Sequence, residues 1–508
     1  MCSSRARRRG RCVRLSLGEH VSRARATAGS SALYFSTIIA SQLTSLLLLP
    51  ILTRYLGPEA FGEYSLVLAV TGLLGTFGSV WVRNVGMRLY FDHVADGRTR
   101  TFFWTAAMLQ AASMAAVLLL AYPVVRLAGT AVPPMLYASA GASVIVTDFY
   151  SLGLNTLRAG HRPVSFGVAE WTNSLGRLAI TWAGLAAGYR TATMLFVCVT
   201  AGMLLASAVA AHGLRDLLVG RGGLDRSMAR ELVVLGIPSI PGSFGGWLIS
   251  LSDRVLIAYF LDVRAVGIYS AAYGVADRAV NGLASGLYMS AGPAILRRWA
   301  EAGEDAAETI ASYLALYVSL SVGPCVLLVL QREFVLRLLA GTEFGAAAAV
   351  VPWVVAGTWL GGAATYLNRP LELSKRFATL SGLATASAVV NVLLNLALIP
   401  TFGVTGAAAG TCGAFVGLAL FSRYLAGQSL VIPLPWRAIV RALVATLVAA
   451  GASTLFASPW LAITAFSAIY VGVMAMLWLR DPRFSDSTMT LRRQNEKARV
   501  EPDTDARR

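Results

Sequence analysis

Seven ionisable side chains stand inside apolar stretches of this chain: Arg177, Arg254, Arg278, Asp148, Glu170, Asp253 and Asp277. A charge in hydrocarbon costs roughly 2.5–3.5 kcal/mol on insertion scales, so each needs a partner or a task. Asp253 and Arg254 adjoin in sequence, as do Asp277 and Arg278. Adjacent residues on a helix point about a quarter-turn apart, which disfavours pairing within each couple. The expectation is a reciprocal set across a hairpin, Asp253 with Arg278 and Arg254 with Asp277, acting as a clamp. The alternative task for Arg177, Arg254 or Arg278 is anion binding, because a planar guanidinium grips phosphate bidentately and stays charged when buried. Glu170, Asn173 and Arg177 fall three and four apart, on one helix face that must turn to protein or water. Pairing and cavity lining are both open for that stripe. Asp253, Asp277 and Glu170 are also the coupling-ion candidates, since a carboxylate whose arginine partner comes and goes can bind and release a proton. Asp148 reads as interfacial. Arg83 and Arg88 bracket the end of an apolar stretch where an anionic headgroup would first meet the protein, and Arg54 is distinctive because the loops on its side hold so few arginines.

These residues are positioned by fourteen apolar stretches of spanning length, at 32–53, 64–83, 102–123, 134–156, 164–187, 192–211, 232–260, 266–295, 309–331, 346–367, 377–399, 404–422, 438–457 and 460–479. Counting Arg83 and Arg441 at the helix ends, the gaps after even-numbered stretches hold 18 Lys and Arg, and those after odd-numbered stretches hold 6. The N-terminal arm and C-terminal tail carry 8 each, on the richer side. Short loops that keep Lys and Arg stay cytoplasmic, so the alternation predicts an all-α polytopic membrane protein with both termini in the cytoplasm. The net charge of +17 is spread over loops and tails rather than gathered on one soluble face, which argues against nucleic acid. Cys2, Cys12, Cys198, Cys325 and Cys412 form no CxxC and pair with no histidine, so no disulfide framework, metal site or cofactor is indicated. Pro238 and Pro241, followed by Gly245 and Gly246, make stretch 7 the hinge candidate, because proline removes backbone hydrogen bonds and glycine admits a neighbouring backbone.

An internal repeat runs through the chain. YLGPEAFGEYS (55–65) aligns without a gap to FLDVRAVGIYS (260–270), matching Leu56 with Leu261, Ala60 with Ala265, Gly62 with Gly267, Tyr64 with Tyr269 and Ser65 with Ser270. LRAGHRP (157–163) similarly matches LELSKRF (371–377). Both offsets equal six stretches, and an even offset makes the repeat parallel. The expected organisation is a cytoplasmic Arg-rich arm (1–30), a six-helix lobe (31–212), a cytoplasmic linker (213–230), a second six-helix lobe (231–425), two added helices (426–480) and a disordered cytoplasmic tail (481–508).

Several segments together resemble one family: LPILTRYLGPEAFGEYSLVLAV (49–70), GSVWVRNVGMRLYFDH (78–93), LRAGHRP (157–163), LGIPSIPGSFGGWLISLSDRVLIAYFL (235–261), VGIYSAAYGVAD (266–277), GPAILRRWAEAG (292–303) and IPTFGVTGAAAGT (399–411). In order and spacing they resemble the Wzx-type polysaccharide flippases of the multidrug/oligosaccharidyl-lipid/polysaccharide superfamily. The resemblance implies two lobes around a cavity that opens alternately to each side of a bacterial inner membrane. The implied cargo is an undecaprenyl-diphosphate-linked oligosaccharide, with a polysaccharide polymerase and glycosyltransferases of the same pathway as partners. Family cavities tend to be cationic, whereas here four acids accompany three arginines at membrane depth, which puts a purely cationic cavity in doubt. Two rivals are a drug or metabolite exporter of the same superfamily and a membrane polymerase or glycosyltransferase. The second lacks a sizeable loop to carry catalytic groups, and no Walker-type glycine loop is present for direct ATP hydrolysis.

Overall fold

Long apolar runs broken by glycine, proline and short polar caps fold here entirely as helices. The structure is a computed structural model that describes residues 17–127, 133–220 and 222–479. The tail 481–508 and the first half of the N-terminal arm lie outside the described residues. In chain order the helices are α1 (Leu17–Gly75), α2 (Trp81–Ala95), α3 (Thr99–Leu127), α4 (Pro134–Ala159), α5 (Pro163–Ala186), α6 (Ala192–Gly213), α7 (Arg215–Leu218), α8 (Arg226–Gly236) and α9 (Ile240–Phe260). They continue as α10 (Val263–Ala302), α11 (Ala306–Leu330), α12 (Arg332–Leu339), α13 (Val351–Leu367), α14 (Arg369–Leu373), α15 (Phe377–Gly427), α16 (Trp436–Ser453) and α17 (Pro459–Leu479). Each of the fourteen apolar stretches falls largely on helix. Among the described residues eight helices are long and apolar enough to cross a membrane, or nine if Thr342–Ala349 and Val351–Leu373, bent by 62°, count as one span.

Two of these elements are pairs of arms without a loop. α1 turns at Gly57 (φ 68°) and α15 at Gly403 (φ 58°). Only glycine takes such a φ without steric cost, so these residues permit the reversal. The α15 arms then press together: a Cβ on Gly406 would lie 2.2 Å from the Leu398 carbonyl. Asn391 Nδ2 donates to Thr411 Oγ1 (3.1 Å), fastening one arm to the other, and Asn395 Nδ2 donates to Asn391 Oδ1 (3.2 Å) within the first arm. Elsewhere helix starts are capped. Thr191 accepts from the Met194 amide, Asp225 from those of Ser227 and Met228, and Asp262 from that of Ala265.

The chain divides into two compact units. Unit 1 takes residues up to Ile51 and Val70–Ser243, and unit 2 takes Leu52–Ala69 and everything from Phe244. Unit 1 has one apolar cluster around Trp81, Val82, Phe102 and Leu232, and another around Leu157, Ala169, Ala206 and Leu214. A short clasp docks the segment after α6 onto unit 1. Arg162 makes two bonds to the Asp216 carboxylate (2.5 and 2.6 Å), Trp104 Nε1 donates to the Leu217 carbonyl, and Arg98 pairs with Asp225 (2.5 Å).

Unit 2 is built around Ile310, Tyr317, Ala364 and Tyr366, with a second cluster where α16 and α17 meet. Within it the repeat-matched glycines touch. A Cβ on Gly62 would lie 1.9 Å from the Val263 carbonyl, and one on Gly267 would lie 1.8 Å from the Pro58 carbonyl. Each glycine thus faces the carbonyl four residues before the other, the reciprocal contact of a local two-fold, and small residues are what let membrane helices approach this closely. Stretch 7 is interrupted by a 3-10 turn, Ile237–Ser239, which holds Pro238; Pro241 opens α9. The division between units falls just beyond, at Ser243, next to Gly245 and Gly246.

Candidate functional site

Unit 2 carries an open cavity of about 500 Å³ lined by α9, α10, α13 and the second arm of α15. Its polar wall comes from Ser250, Tyr273, Asp277, Asn281, Thr358 and Thr365, and Tyr288, Met289 and Phe415 supply apolar faces. Gly361 and Gly362 on the α13 wall make room for neighbouring rings, since a Cβ there would lie 2.9 Å from the Phe415 ring and 2.3 Å from the Tyr317 hydroxyl. On α10, Tyr273, Asp277, Asn281, Ala284 and Tyr288 recur at three and four residues, so one face of a single helix forms most of the wall.

An arginine is anchored on a cavity-lining tyrosine at two places. Arg254 lies with its guanidinium carbon 4.5 Å from the Tyr273 ring centre and 5.5 Å from that of Tyr269. Its Nη1 meets Asp253 Oδ1 and the Ser250 carbonyl, each at 2.6 Å. The other Asp253 oxygen accepts from the Tyr269 hydroxyl. Asp253 is 1% exposed and Arg254 7%. This corrects the expected reciprocal clamp, because Asp253 pairs with its own neighbour. The long arginine stem folds back along α9, and the two tyrosines of α10 close over the couple, so the quarter-turn between backbone directions does not keep the charged ends apart. Asp277 is half-buried, faces the cavity and accepts from Asn281 Nδ2 (2.7 Å); both Arg254 and Arg278 act on it electrostatically. Arg278 donates to the Gly274 carbonyl of its own helix.

The second anchored arginine, Arg369, was read from the sequence only as one of three basic residues in a loop. It is buried, 4.3 Å over the Tyr288 ring, with Nη1 on Glu372 Oε2 (2.5 Å) and its Nε without a hydrogen-bond partner. Gly292 makes room for it, since a Cβ there would come within 3.4 Å of Nη2. Tyr273, Tyr288, Asn281 and Thr358 were likewise missed. The signal for them was present, in the three-and-four spacing of polar and aromatic residues along 273–288.

The remaining arginines of the sequence reading lie elsewhere. In unit 1, Arg83 Nη1 bonds Asp148 Oδ1 at 2.9 Å, joining α2 to α4. Asp148 is buried inside unit 1. The Tyr150 hydroxyl donates to Glu170 Oε1 (2.9 Å) and the Ala169 carbonyl (3.1 Å), joining α4 to α5. Arg177 acts on Glu170 electrostatically, and Asn173 is buried between them along the same face. A Cβ on Gly202 would lie 2.7 Å from Arg177 Cα, so α6 packs directly against the Arg177 backbone. Arg88 is exposed. Arg54, in unit 2, donates to the Leu338 carbonyl at the end of α12 (2.6 Å), an ordinary C-terminal helix contact. Among the described residues no group of three His, Cys, Asp or Glu side chains is placed to hold a metal ion.

Four similarities accompany this geometry. Residues 28–297 match the model of a family described as polysaccharide biosynthesis protein, more than half of the 508 residues. A probable low-salt glycan biosynthesis flippase of Haloferax volcanii is 27% identical over 259 residues, 48% of this chain and 52% of its own length. The chain thus spans about half the length of that curated relative. Among solved structures, the inward closed conformation of the lipid II flippase MurJ superposes with a TM-score of 0.72 at 13% identity, over 88% of this chain and 98% of that one. An inward-facing multidrug resistance MATE family transporter of the MOP superfamily gives 0.56 at 14% identity, over 76% and 95%. At these identities the two structures show the transporter fold, in a multi-pass membrane protein.

Proposed function

Because the chain belongs to the polysaccharide biosynthesis protein family, as its sequence motifs implied, we propose that it is a flippase for a lipid-linked glycan. The cargo in this reading is an undecaprenyl-diphosphate-linked oligosaccharide, carried across a bacterial inner membrane by alternating access, with both termini cytoplasmic. A polymerase and glycosyltransferases of the same pathway are its partners. The observation that carries the reading is the unit 2 cavity, with Arg254 stacked on Tyr273 and Arg369 on Tyr288. Guanidinium donors suit a diphosphate because they can bind it bidentately, and sugar rings pack well on aromatic faces between hydroxyl and amide groups.

Each arginine already holds a carboxylate, so binding exchanges a carboxylate for a phosphate. Holding a carboxylate meanwhile avoids leaving a naked buried charge in the empty protein. Asp277 is the better placed of the coupling candidates, because it faces the cavity beside Asn281, whereas both Asp253 oxygens are bonded and sealed. Glu170 is tied to Tyr150 and keeps a structural task. The 3-10 turn holding Pro238, with Pro241, Gly245 and Gly246 following, supplies the bending point.

The test is lipid extraction from a strain depleted of this protein. The expected result is accumulation of one polyprenyl-diphosphate oligosaccharide with its full repeat assembled. An unchanged lipid-linked pool alongside normal surface glycan would contradict the reading.

A further inference from the structure

Unit 2 has a second and larger cavity, about 750 Å³, that shares no lining residue with the first. It is bounded by the first half of α11, the start of α16 and Trp478 near the end of α17. Glu308, Ser312 and Ser319 line it from α11, spaced four and seven apart and so on one face. Arg437 and Arg441, one turn apart, line it from α16. Ser319 is a lining residue of this space and 2% exposed, and its hydroxyl has no hydrogen-bond partner. A buried hydroxyl left so is costly unless something in the cavity meets it. The first turn of α16 adds amides with no partner inside the helix and the positive end of its dipole.

Two arginines and a helix start against one acid favour an occupant with a single negative charge. Trp436 and Trp478 flank the opening, the residue type that settles at the headgroup level of a bilayer. From Trp436 an exposed apolar stripe continues along α16 through Val440, Leu443 and Leu447, at steps of three and four. We propose that this cavity binds the phosphate headgroup of a membrane phospholipid, with Arg437 and Arg441 on the phosphate and the acyl chains along the α16 stripe. In the charge-alternation reading the loop before α16 is cytoplasmic, which makes this an inner-leaflet lipid.

Native mass spectrometry of the full chain, released from nanodiscs of phosphatidylethanolamine and phosphatidylglycerol, reads the site without reference to transport. One phospholipid per chain is expected to survive release from the wild type. Arg437→Gln with Arg441→Gln should lower its retention about 30-fold, whereas Arg297→Gln with Arg298→Gln, an exposed basic pair elsewhere, should leave it unchanged. Ser319→Val, which keeps the shape and removes the hydroxyl, should weaken retention several-fold and remains readable if the arginine variant folds poorly. Wild-type retention in both the arginine and Ser319 variants would overturn the proposal, as would equal loss from the Arg297 and Arg298 pair. Displacement of the lipid by inorganic phosphate at matching concentration would overturn its lipid part and assign the site to the free anion.

Discussion

The two units hold their charges differently. In unit 1 they bridge helices, Arg83 of α2 reaching Asp148 of α4, and Tyr150 of α4 reaching Glu170 of α5. In unit 2 the ion pairs are local to one stretch of chain, Asp253 with Arg254 and Arg369 with Glu372, and the one carboxylate among them that also reaches another helix is Asp253, which accepts from Tyr269 of α10. Unit 2 fastens its helices by other means: the Gly62–Gly267 contact, the Tyr317 hydroxyl on the Trp359 carbonyl (2.9 Å), and the Tyr470 hydroxyl on the Ser319 carbonyl (2.7 Å). A charge that bridges helices is committed to the fold. An arginine satisfied by its own neighbour leaves more of the helix packing to other groups, and in the proposed reading its guanidinium turns to the cargo.

The comparison breaks most easily at the glycines. Gly62→Ala forces a Cβ against a backbone carbonyl that cannot rotate away, and about 3 kcal/mol is expected, the top of the overpacking range. Gly246→Ala meets nothing within 4 Å and should be neutral or stabilising by up to about 1 kcal/mol. Thermal unfolding in detergent separates the two. Equal melting temperatures would mean that the glycine contact does not fasten unit 2.

Next in size is Arg83→Ala, which strands the buried Asp148 carboxylate. The expected cost is about 2–3 kcal/mol, short of a fully buried pair because the acid can take up a proton instead. A loss below about 0.5 kcal/mol, the ordinary surface range, would remove the bridging role.

The smallest effect sharpens the picture at the unit 1 surface. Arg162 holds the Asp216 carboxyl below the usual carboxylate range through two hydrogen bonds. The contribution of this pair is therefore fully present above about pH 4 and lost as pH falls through the lowered value. Asp216 is half-exposed, so Asp216→Asn should cost under about 0.5 kcal/mol. A spin label at Val219 should gain mobility between pH 5 and pH 2 in the wild type, and mobility independent of pH would show that the clasp contributes nothing.

The helices were legible because apolar runs of spanning length leave a strong pattern. The repeat matched Gly62 with Gly267 as equivalent positions, and their contact is a finding of the structure that the match did not foretell. Side-chain pairing was not legible. The Asp253–Arg254 couple depends on Tyr269 and Tyr273 closing over it, and nothing in 253–254 alone announces them. Arg369 read as a loop charge because its burial depends on the space left by Gly292 and the ring of Tyr288, some eighty residues away in sequence.

The central claim is that the unit 2 arginines act on cargo while the unit 1 bridge acts on the fold. Proteoliposomes loaded with a fluorescent polyprenyl-diphosphate oligosaccharide test it directly, through the translocation rates of Arg254→Lys, Arg369→Lys and Arg83→Lys at matched amounts of folded protein. Each unit 2 variant is predicted to lose about tenfold or more, because a point charge replaces a bidentate fork, while the Arg83 variant stays near the wild-type rate. Wild-type rates in both unit 2 variants, or a loss in Arg83→Lys as large as theirs, would contradict the account.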